Sequence, residues 1–169
     1  MGEACCFIGH RKINENEELK NNLRNIIERM VMYRNVTYFL FGSKSRFNDL
    51  CYEIVTEIKE KHPHIKRIYV RAEYAEISDA YKRYLLNLYE DTYYPQKIIG
   101  AGKAVYVERN FEMIKNSDFC VFYYNSKDMP NVRPSGTKIA LDYALKQKKK
   151  LLWYDFMICR REHVYYTNQ

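Results

Sequence analysis

The sequence predicts a doubly wound α/β fold, in which helices cover both faces of a mainly parallel sheet of about five strands. The first observation is that short apolar runs, bounded by turn residues, alternate with longer stretches whose apolar residues recur every three or four positions. The second is the length of those stretches, because parallel neighbours need long right-handed crossovers and helices of three to five turns supply them. The expected architecture is a three-layer α/β/α sandwich of the Rossmann-like kind.

Turn and breaker residues place the boundaries of these elements. Gly9 and Gly42 end the first two apolar runs, and His62 ends a helix because a residue that precedes a proline is disfavoured in the helical region. Ser135 stands where a helix needs an N-cap. The predicted strands are 4–8, 36–41, 65–70, 119–124 and 151–154, and the predicted helices are 15–32, 47–58, 77–89, 104–116 and 135–147.

Two stretches show no regular pattern beyond this. Residues 74–103 contain one helical segment, and we expect 93–102 to form a loop or a mobile flap because it holds a proline and two glycines. The tail from Asp155 has no periodicity. A chain of 169 residues without a Pro-, Gly- or Ser-rich linker fits one domain over 1–169, with a core over about 4–154 and a tail over 155–169.

Composition predicts a folded cytoplasmic protein. The chain is 47% hydrophobic and 29% charged, which is typical of globular proteins. No stretch approaches the ~20 apolar residues of a membrane helix, and the N-terminus lacks the pattern of a signal peptide, so no membrane partner is expected. The five cysteines are odd in number and lack CxxC or Cys/His ligand spacing, which favours free buried thiols over a metal site; they are Cys5, Cys6, Cys51, Cys120 and Cys159.

The net charge of +7 permits binding of phosphate or nucleic acid, since clustered cations attract polyanions. The charge is spread along the chain, however. The one dense run, 146–150, lies at a predicted helix end, where cations offset the helix dipole and remain solvated. This favours a structural role for that run over nucleic-acid binding.

A ligand site is expected where the strands end. In an open parallel sheet, ligands bind outside the carboxyl ends of the strands, at the point where the strand order reverses. Four predicted loops reach that edge with small residues, hydroxyls and cations, which suit phosphate at a helix amino end. They are Gly9, His10 and Arg11; Gly42, Ser43, Lys44, Ser45 and Arg46; Arg71, Ala72 and Glu73; and Pro134, Ser135, Gly136 and Thr137.

Some of these residues also have a purely structural interpretation. Gly42 suits a turn with positive φ, Ser135 a helix cap and His10 a hydrogen-bonded structural histidine. Familiar catalytic motifs are missing from the sequence: it has no GxSxG, HExxH, GxxxxGK[ST] or GxGxxG. Glu108 and Arg109 form a candidate acid and cation pair, or else part of a solvated helix face.

Four segments together resemble the YpsA-like members of the SLOG superfamily, Rossmann-like domains that include DNA-processing protein A and the Lonely guy phosphoribohydrolases. The segments are CCFIGHRK, YFLFGSKSRFNDLCYEIVTEIKEKHPHIKRIYV, ERNFEMIKNSDFCVFYY and SGTKIALDYALKQKKKLL. The resemblance covers roughly residues 4–154. It implies a nucleotide-related ligand, and relatives in the superfamily are often dimers or larger, so it also implies a homo-oligomer.

The resemblance extends to single positions. Gly9, His10 and Arg11 coincide with a TGHR-type loop, although Ile8 replaces its threonine. The loop from Gly42 stands where relatives have GGARGxD and keeps one glycine.

The phosphoribohydrolase motifs are matched in part. Arg109 falls on the functional arginine of their M-x-x-R-K-x-x-M helix, and 135–137 falls on their GGxGTxxE loop. The glutamate of that second motif falls on Ala140, which can act neither as acid nor as base. Asp142 lies about 200° further around the helix and points elsewhere.

Three hypotheses follow. The first is a domain that binds or senses a nucleotide derivative, either ADP-ribose-like or a nucleoside phosphate, with Arg11, Arg46 and Arg109 neutralising phosphate. The second is an N-glycosidase or phosphoribohydrolase for nucleoside monophosphates, in which Glu108 or Glu73 replaces the missing carboxylate. The third is nucleic-acid binding, from the positive charge and the kinship with the DNA-processing protein.

Overall fold

The computed structural model describes residues 2–125, 134–155 and 163–165 of the chain. Within them, seven strands form one sheet and five α-helices pack beside it. The strands are β1 (Glu3–Gly9), β2 (Val36–Phe41), β3 (Lys66–Val70), β4 (Asp91–Tyr93), β5 (Phe119–Tyr124), β6 (Lys150–Asp155) and β7 (His163–Tyr165). The helices are α1 (Glu17–Arg34), α2 (Arg46–Lys61), α3 (Asp79–Leu88), α4 (Val105–Lys115) and α5 (Gly136–Lys146).

The strand order is β4-β3-β2-β1-β5-β6-β7, and every neighbouring pair is parallel except β6 and β7. From β1 the chain proceeds outward through β2 and β3 to β4, and then crosses back to place β5 on the other side of β1. The order therefore reverses between β1 and β5, where Cys6 is level with Cys120. This is the α/β fold that the sequence predicts, and the reversal leaves a crevice at the carboxyl ends of these strands.

Alternation along the strands divides the core into two layers. Cys5 and Phe7 of β1 face the cluster formed with α1, α2 and α3, whereas Cys6 and Ile8 face the cluster formed with α4 and α5. Successive strand residues point to opposite faces of a sheet, so both faces of β1 are covered. In β5 all six residues are buried, as expected for a strand enclosed on both faces.

The structure adds an edge strand that was not predicted and that ends at the first residue of the predicted loop 93–102. Tyr93 ends the edge strand β4, whose backbone pairs with β3, and the Thr92 hydroxyl donates to the carbonyl oxygen of Tyr69 at 2.9 Å. Two short 3₁₀ turns follow, Gln96–Ile98 and Gly102–Ala104. A three-residue strand is too short to show alternation, and pairing with β3 decides its conformation. Residues 156–162 and 166–169 of the tail lie outside the described residues, whereas His163–Tyr165 pairs antiparallel with β6.

The burial of the cysteines and the apolar character of the helices test the predictions of free thiols and of no membrane-spanning segment. Four of the cysteines are buried free thiols, namely Cys5, Cys6, Cys51 and Cys120, and Cys159 lies outside the described residues. Burial raises the pKa of the Cys5 and Cys51 thiols well above the usual value. Among the helices of the described ranges, none combines the length and apolar character needed to cross a membrane.

Candidate functional site

A cavity of about 790 Å³ opens at the carboxyl ends of the first three strands, beside the switch in strand order. Four loops and helix α4 contribute to its wall. The described lining residues include the predicted Gly9, His10, Arg11, Gly42, Ser43, Ser45, Glu73, Arg109, Ser135, Gly136 and Thr137, together with Ile8, Lys12, Lys44, Tyr106 and Asn110. The crossovers of the sheet thus bring residues as far apart in the chain as Ile8 and Thr137 to one site.

Arg109 lies at the floor of this cavity and is the most buried cation of the site, with 2% of its surface exposed. Its Nη1 donates to the carbonyl oxygens of Gly42 and Val70, and its Nε donates to Asn110 Oδ1 at 3.0 Å. Within the described ranges, no carboxylate oxygen lies within 4 Å of its guanidinium nitrogens. Burial lowers the pKa of Arg109, because desolvation disfavours the charged form. A buried positive charge without a carboxylate partner is costly, and an anion bound in the cavity would offset it.

The amino end of α2 forms one side of the cavity. Ser45 is the N-cap, and its hydroxyl accepts from the backbone N–H of Asn48 at 3.2 Å and lies 3.0 Å from the Ser43 hydroxyl. The backbone N–H of Arg46 donates to the carbonyl oxygen of Arg11 at 3.1 Å. This bond joins the loops that follow β1 and β2, so the helix end and both loops are held together at the site.

Asn48 is a positioning residue that the sequence analysis did not single out. It is 3% exposed; its Oδ1 accepts from the Gly42 N–H at 3.2 Å, and its Nδ2 donates to the carbonyl oxygen of Phe7 at 2.9 Å. One amide therefore ties the ends of β1 and β2 to the first turn of α2. The available signal was an amide between Phe47 and Leu50, on the face of the helix that is otherwise apolar.

The amino end of α5 forms the opposite side. The Ser135 hydroxyl accepts from the Lys138 N–H at 3.1 Å, which confirms the predicted cap. The first N–H groups of a helix have no partner within the helix, so those of Gly136 and Thr137 are suited to an oxyanion. Two helix amino ends, each with positive dipole character, thus face one cavity.

The charged side chains of the described lining add to this field. Four are cations, Arg11, Lys12, Lys44 and Arg109, and one is a carboxylate, Glu73, so the formal surplus is three positive charges. Lys44 Nζ lies 3.3 Å from Glu73 Oε1 across the mouth between the loops after β2 and β3. The hydrogen bond with Glu73 raises the pKa of Lys44, which therefore remains protonated at neutral pH. The cavity attracts anions.

His10 and Tyr106 supply the aromatic part of the lining. The His10 ring packs 5.5 Å from the Tyr124 ring and meets the Tyr123 ring edge-on at 6.4 Å. Tyr106, in the first turn of α4, is 52% exposed on the cavity side of Arg109. An exposed ring at the edge of a cationic cavity can stack on a planar base.

Three residues that the sequence predicted at the site lie outside the cavity lining. The Arg46 guanidinium is held by Glu15, with Nε to Oε2 at 2.6 Å, and by Glu53, with Nη1 to Oε1 at 2.8 Å. Glu108 is half-buried on α4, on a part of the helix that does not line the cavity. In the β3 loop, Arg71 donates to the carbonyl oxygens of Tyr74 and Ala75 instead of lining the cavity.

The position of residue 140 on α5 shows why an alanine fits where the phosphoribohydrolase motif has a glutamate. Ala140 is 1% exposed and packs into the core cluster on the α4 and α5 face of the sheet. Asp142 pairs with Lys138 on the helix surface and does not line the cavity. Glu73 is therefore the one carboxylate of the described lining, and it comes from a different loop.

No group of three or more His, Cys, Asp or Glu residues within the described ranges is placed to hold a metal ion. A comparison with protein-family models finds no match, and a comparison with curated proteins finds none either.

Proposed function

We propose that the protein binds a phosphorylated, nucleotide-like small molecule, of the nucleoside phosphate or ADP-ribose class, in the cavity at the carboxyl ends of its strands. The observation that carries the proposal is the Arg109 guanidinium, a buried cation with no carboxylate partner among the described residues. Folding places this charge at low solvent access, and a bound phosphate would both pair with it and replace its lost hydration.

Three further features support an anionic nucleotide over other anions. The amino end of α5 can bind phosphoryl oxygens through the backbone N–H groups of Gly136 and Thr137, and the N-cap of α2 lines the same cavity, where its helix dipole favours an anion. The volume of about 790 Å³ falls in the range of small-molecule sites, roughly 300–1,000 Å³, and exceeds what one inorganic ion fills. Tyr106 offers an exposed ring for a base. The resemblance to the SLOG superfamily stays a prediction, and it implies the same class of ligand.

Thermal unfolding of the purified protein with AMP, ADP, ADP-ribose or NAD tests the proposal. A ligand at ~100 times its Kd adds about 2.7 kcal/mol to the free energy of unfolding, which raises the Tm of a chain this long by roughly 5 to 10 °C. Arg109→Ala is expected to abolish the shift. Arg24→Ala is the control and should keep the shift, because it removes an arginine of α1 that pairs with Glu57 of α2 and does not line the cavity.

The absence of a shift with every compound at millimolar concentration, for the wild-type protein, would contradict the proposal. A shift of equal size in Arg109→Ala would place the ligand elsewhere on the molecule. Inorganic phosphate at the same ionic strength separates binding of a bare anion from binding of the nucleotide.

Hydrolysis of the bound nucleotide is the second candidate, and one observation favours it. The Glu73 carboxylate lines the same cavity as Arg109, so an acid or base is present where the N-glycosidic bond of a nucleotide could lie. Release of free adenine from AMP in a timed assay, abolished in Glu73→Gln, is the expected result if the protein is a hydrolase. Binding without release would leave it a binding or sensing domain.

A further inference from the structure

Glu73 differs in charge from the other charged residues that line the cavity. It is the one carboxylate among four cations in the described lining, and its side chain is 23% exposed. It follows β3 after two residues, so the loop end of that strand holds it against the cavity. A site built for a polyanion alone would be expected to lack a negative charge, since like charges close to the ligand weaken its binding.

Glu73 acts on the buried cation only from a distance: its charge opposes the effect of burial on the pKa of Arg109. Its carboxylate makes no ion pair with Arg109, the side chain whose charge is hardest to solvate. It pairs instead with Lys44, whose side chain is 79% exposed. Ion pairs to such exposed side chains contribute little to stability and give way readily to another partner.

The carboxylate also has acceptor capacity to spare. Among the described residues its polar contact is Oε1 to Lys44 Nζ, whereas an ionised carboxylate can accept about four hydrogen bonds. The neighbouring Tyr69 contributes no second negative charge, because burial, followed by the charge of Glu73, raises the pKa of its phenol. Glu73 is thus a single carboxylate that faces a site in which every other charged group of the described lining is a donor.

A nucleotide offers one group that matches this acceptor and lies close to its phosphate. The ribose 2′ and 3′ hydroxyls are adjacent donors without charge, and one carboxylate can accept from both. Resting on the proposed function, we propose that Glu73 binds this diol, so that the ligands are ribonucleoside 5′-phosphates whose two ring hydroxyls are both free. Glu73 is then a specificity-determining residue: it selects ribose over deoxyribose and rejects a sugar that carries a second phosphate at the 2′ or 3′ position.

Calorimetric titration with ADP, 2′,3′-dideoxy-ADP and adenosine 3′,5′-bisphosphate tests the inference. The wild-type protein should bind the dideoxy compound at least about tenfold more weakly than ADP, because two hydrogen bonds to an ionised group are lost. In Glu73→Ala the two affinities should agree within about threefold, for the same reason. The bisphosphate, bound poorly by the wild-type protein, should gain about tenfold in the variant because the repulsion is removed.

The control is Glu76→Ala, which removes an exposed carboxylate from the same loop and should keep the preferences of the wild-type protein. Equal binding of ADP and its dideoxy analogue by the wild-type protein would overturn the inference and leave nucleotide binding intact. A diol preference that survives in Glu73→Ala would also overturn it. Failure of all three probes to bind the wild-type protein would refute the proposed function, and this inference with it.

Discussion

Gly42→Ala should damage the protein through Arg109, not through the conformation of the loop. Gly42 is buried at the end of β2, and its φ is not among the positive values of the described residues, so an alanine there incurs no backbone strain. A Cβ at this position would lie 2.7 Å from Arg109 Nη1 and 2.7 Å from Met113 Sδ. Ordinary van der Waals contact begins at 3.4 Å, so both side chains must shift.

The cost follows from what holds Arg109 in place. Its Nη1 donates to the carbonyl oxygens of Gly42 and Val70, and a shift away from the new methyl group weakens at least one of these bonds. A hydrogen bond from a charged donor contributes about 1.5–3 kcal/mol, and overpacking a filled site costs about 1–3 kcal/mol. We expect a loss of about 2 kcal/mol, which corresponds to a Tm lower by roughly 4 to 8 °C at this chain length.

Thermal melts with and without ADP measure both consequences. Affinity for ADP should fall by about tenfold, because the displaced guanidinium no longer lies at the floor of the cavity. Gly136→Ala is the matched control for stability, because its Cβ would have no atom within 4 Å. Alanine in the first turn of α5 should leave the free energy of unfolding unchanged or raise it by about 0.5 kcal/mol, so the Tm should not fall. A Tm for Gly42→Ala within about 1 °C of the wild-type value would refute the reasoning.

Four further predictions test the packing around the site. Gly9→Ala should lower the free energy of unfolding in urea by about 3 kcal/mol, more than Gly42→Ala does. The reason is that the new Cβ would lie 2.4 Å from the buried Phe47 ring and 2.8 Å from Phe47 Cβ, which is fixed to the backbone and cannot move away. A smaller loss than that of Gly42→Ala would contradict this. Asn48→Ala should also cost about 3 kcal/mol, since it leaves a buried N–H and a buried carbonyl without partners; unchanged urea denaturation would show that water replaces the amide. Arg46→Ala should bind ADP in calorimetry with an affinity within about twofold of the wild-type value, because carboxylates hold the Arg46 guanidinium outside the cavity lining. A tenfold loss of affinity would show instead that Arg46 contacts the phosphate. The hydrogen bond from Arg46 lowers the pKa of Glu15 below its usual value of 4.5, so this ion pair stabilises the fold above pH 4.5, and the stabilisation is lost as the pH falls through the lowered pKa. The stability of the wild-type protein should therefore drop more steeply below pH 4.5 than the stability of Glu15→Gln. Parallel stability curves for the two proteins would exclude the effect.

Much of the fold could be predicted because burial leaves a local trace. The apolar run Phe119–Tyr124 predicts a strand covered on both faces, and all six of its residues are buried in the sheet. Ser135 was predicted as a cap from its position before a helical pattern, and its hydroxyl accepts the expected bond. In contrast, β4 has only three residues, and its extended conformation depends on pairing with β3, so no local sequence pattern predicts it.

The same division holds at the site. The sequence by itself determined which loops carry small, hydroxyl and cationic residues, and the parallel topology that gathers their strand ends at one edge of the sheet. Only the tertiary structure decided which of the arginines is buried: Arg109 reaches Gly42 across 67 positions of sequence, whereas Arg46 turns to Glu15 and Glu53. The physical reason is that periodicity reports the preference of one segment for burial, while the partner of a charged or amide side chain depends on the distance between segments that are remote in the chain.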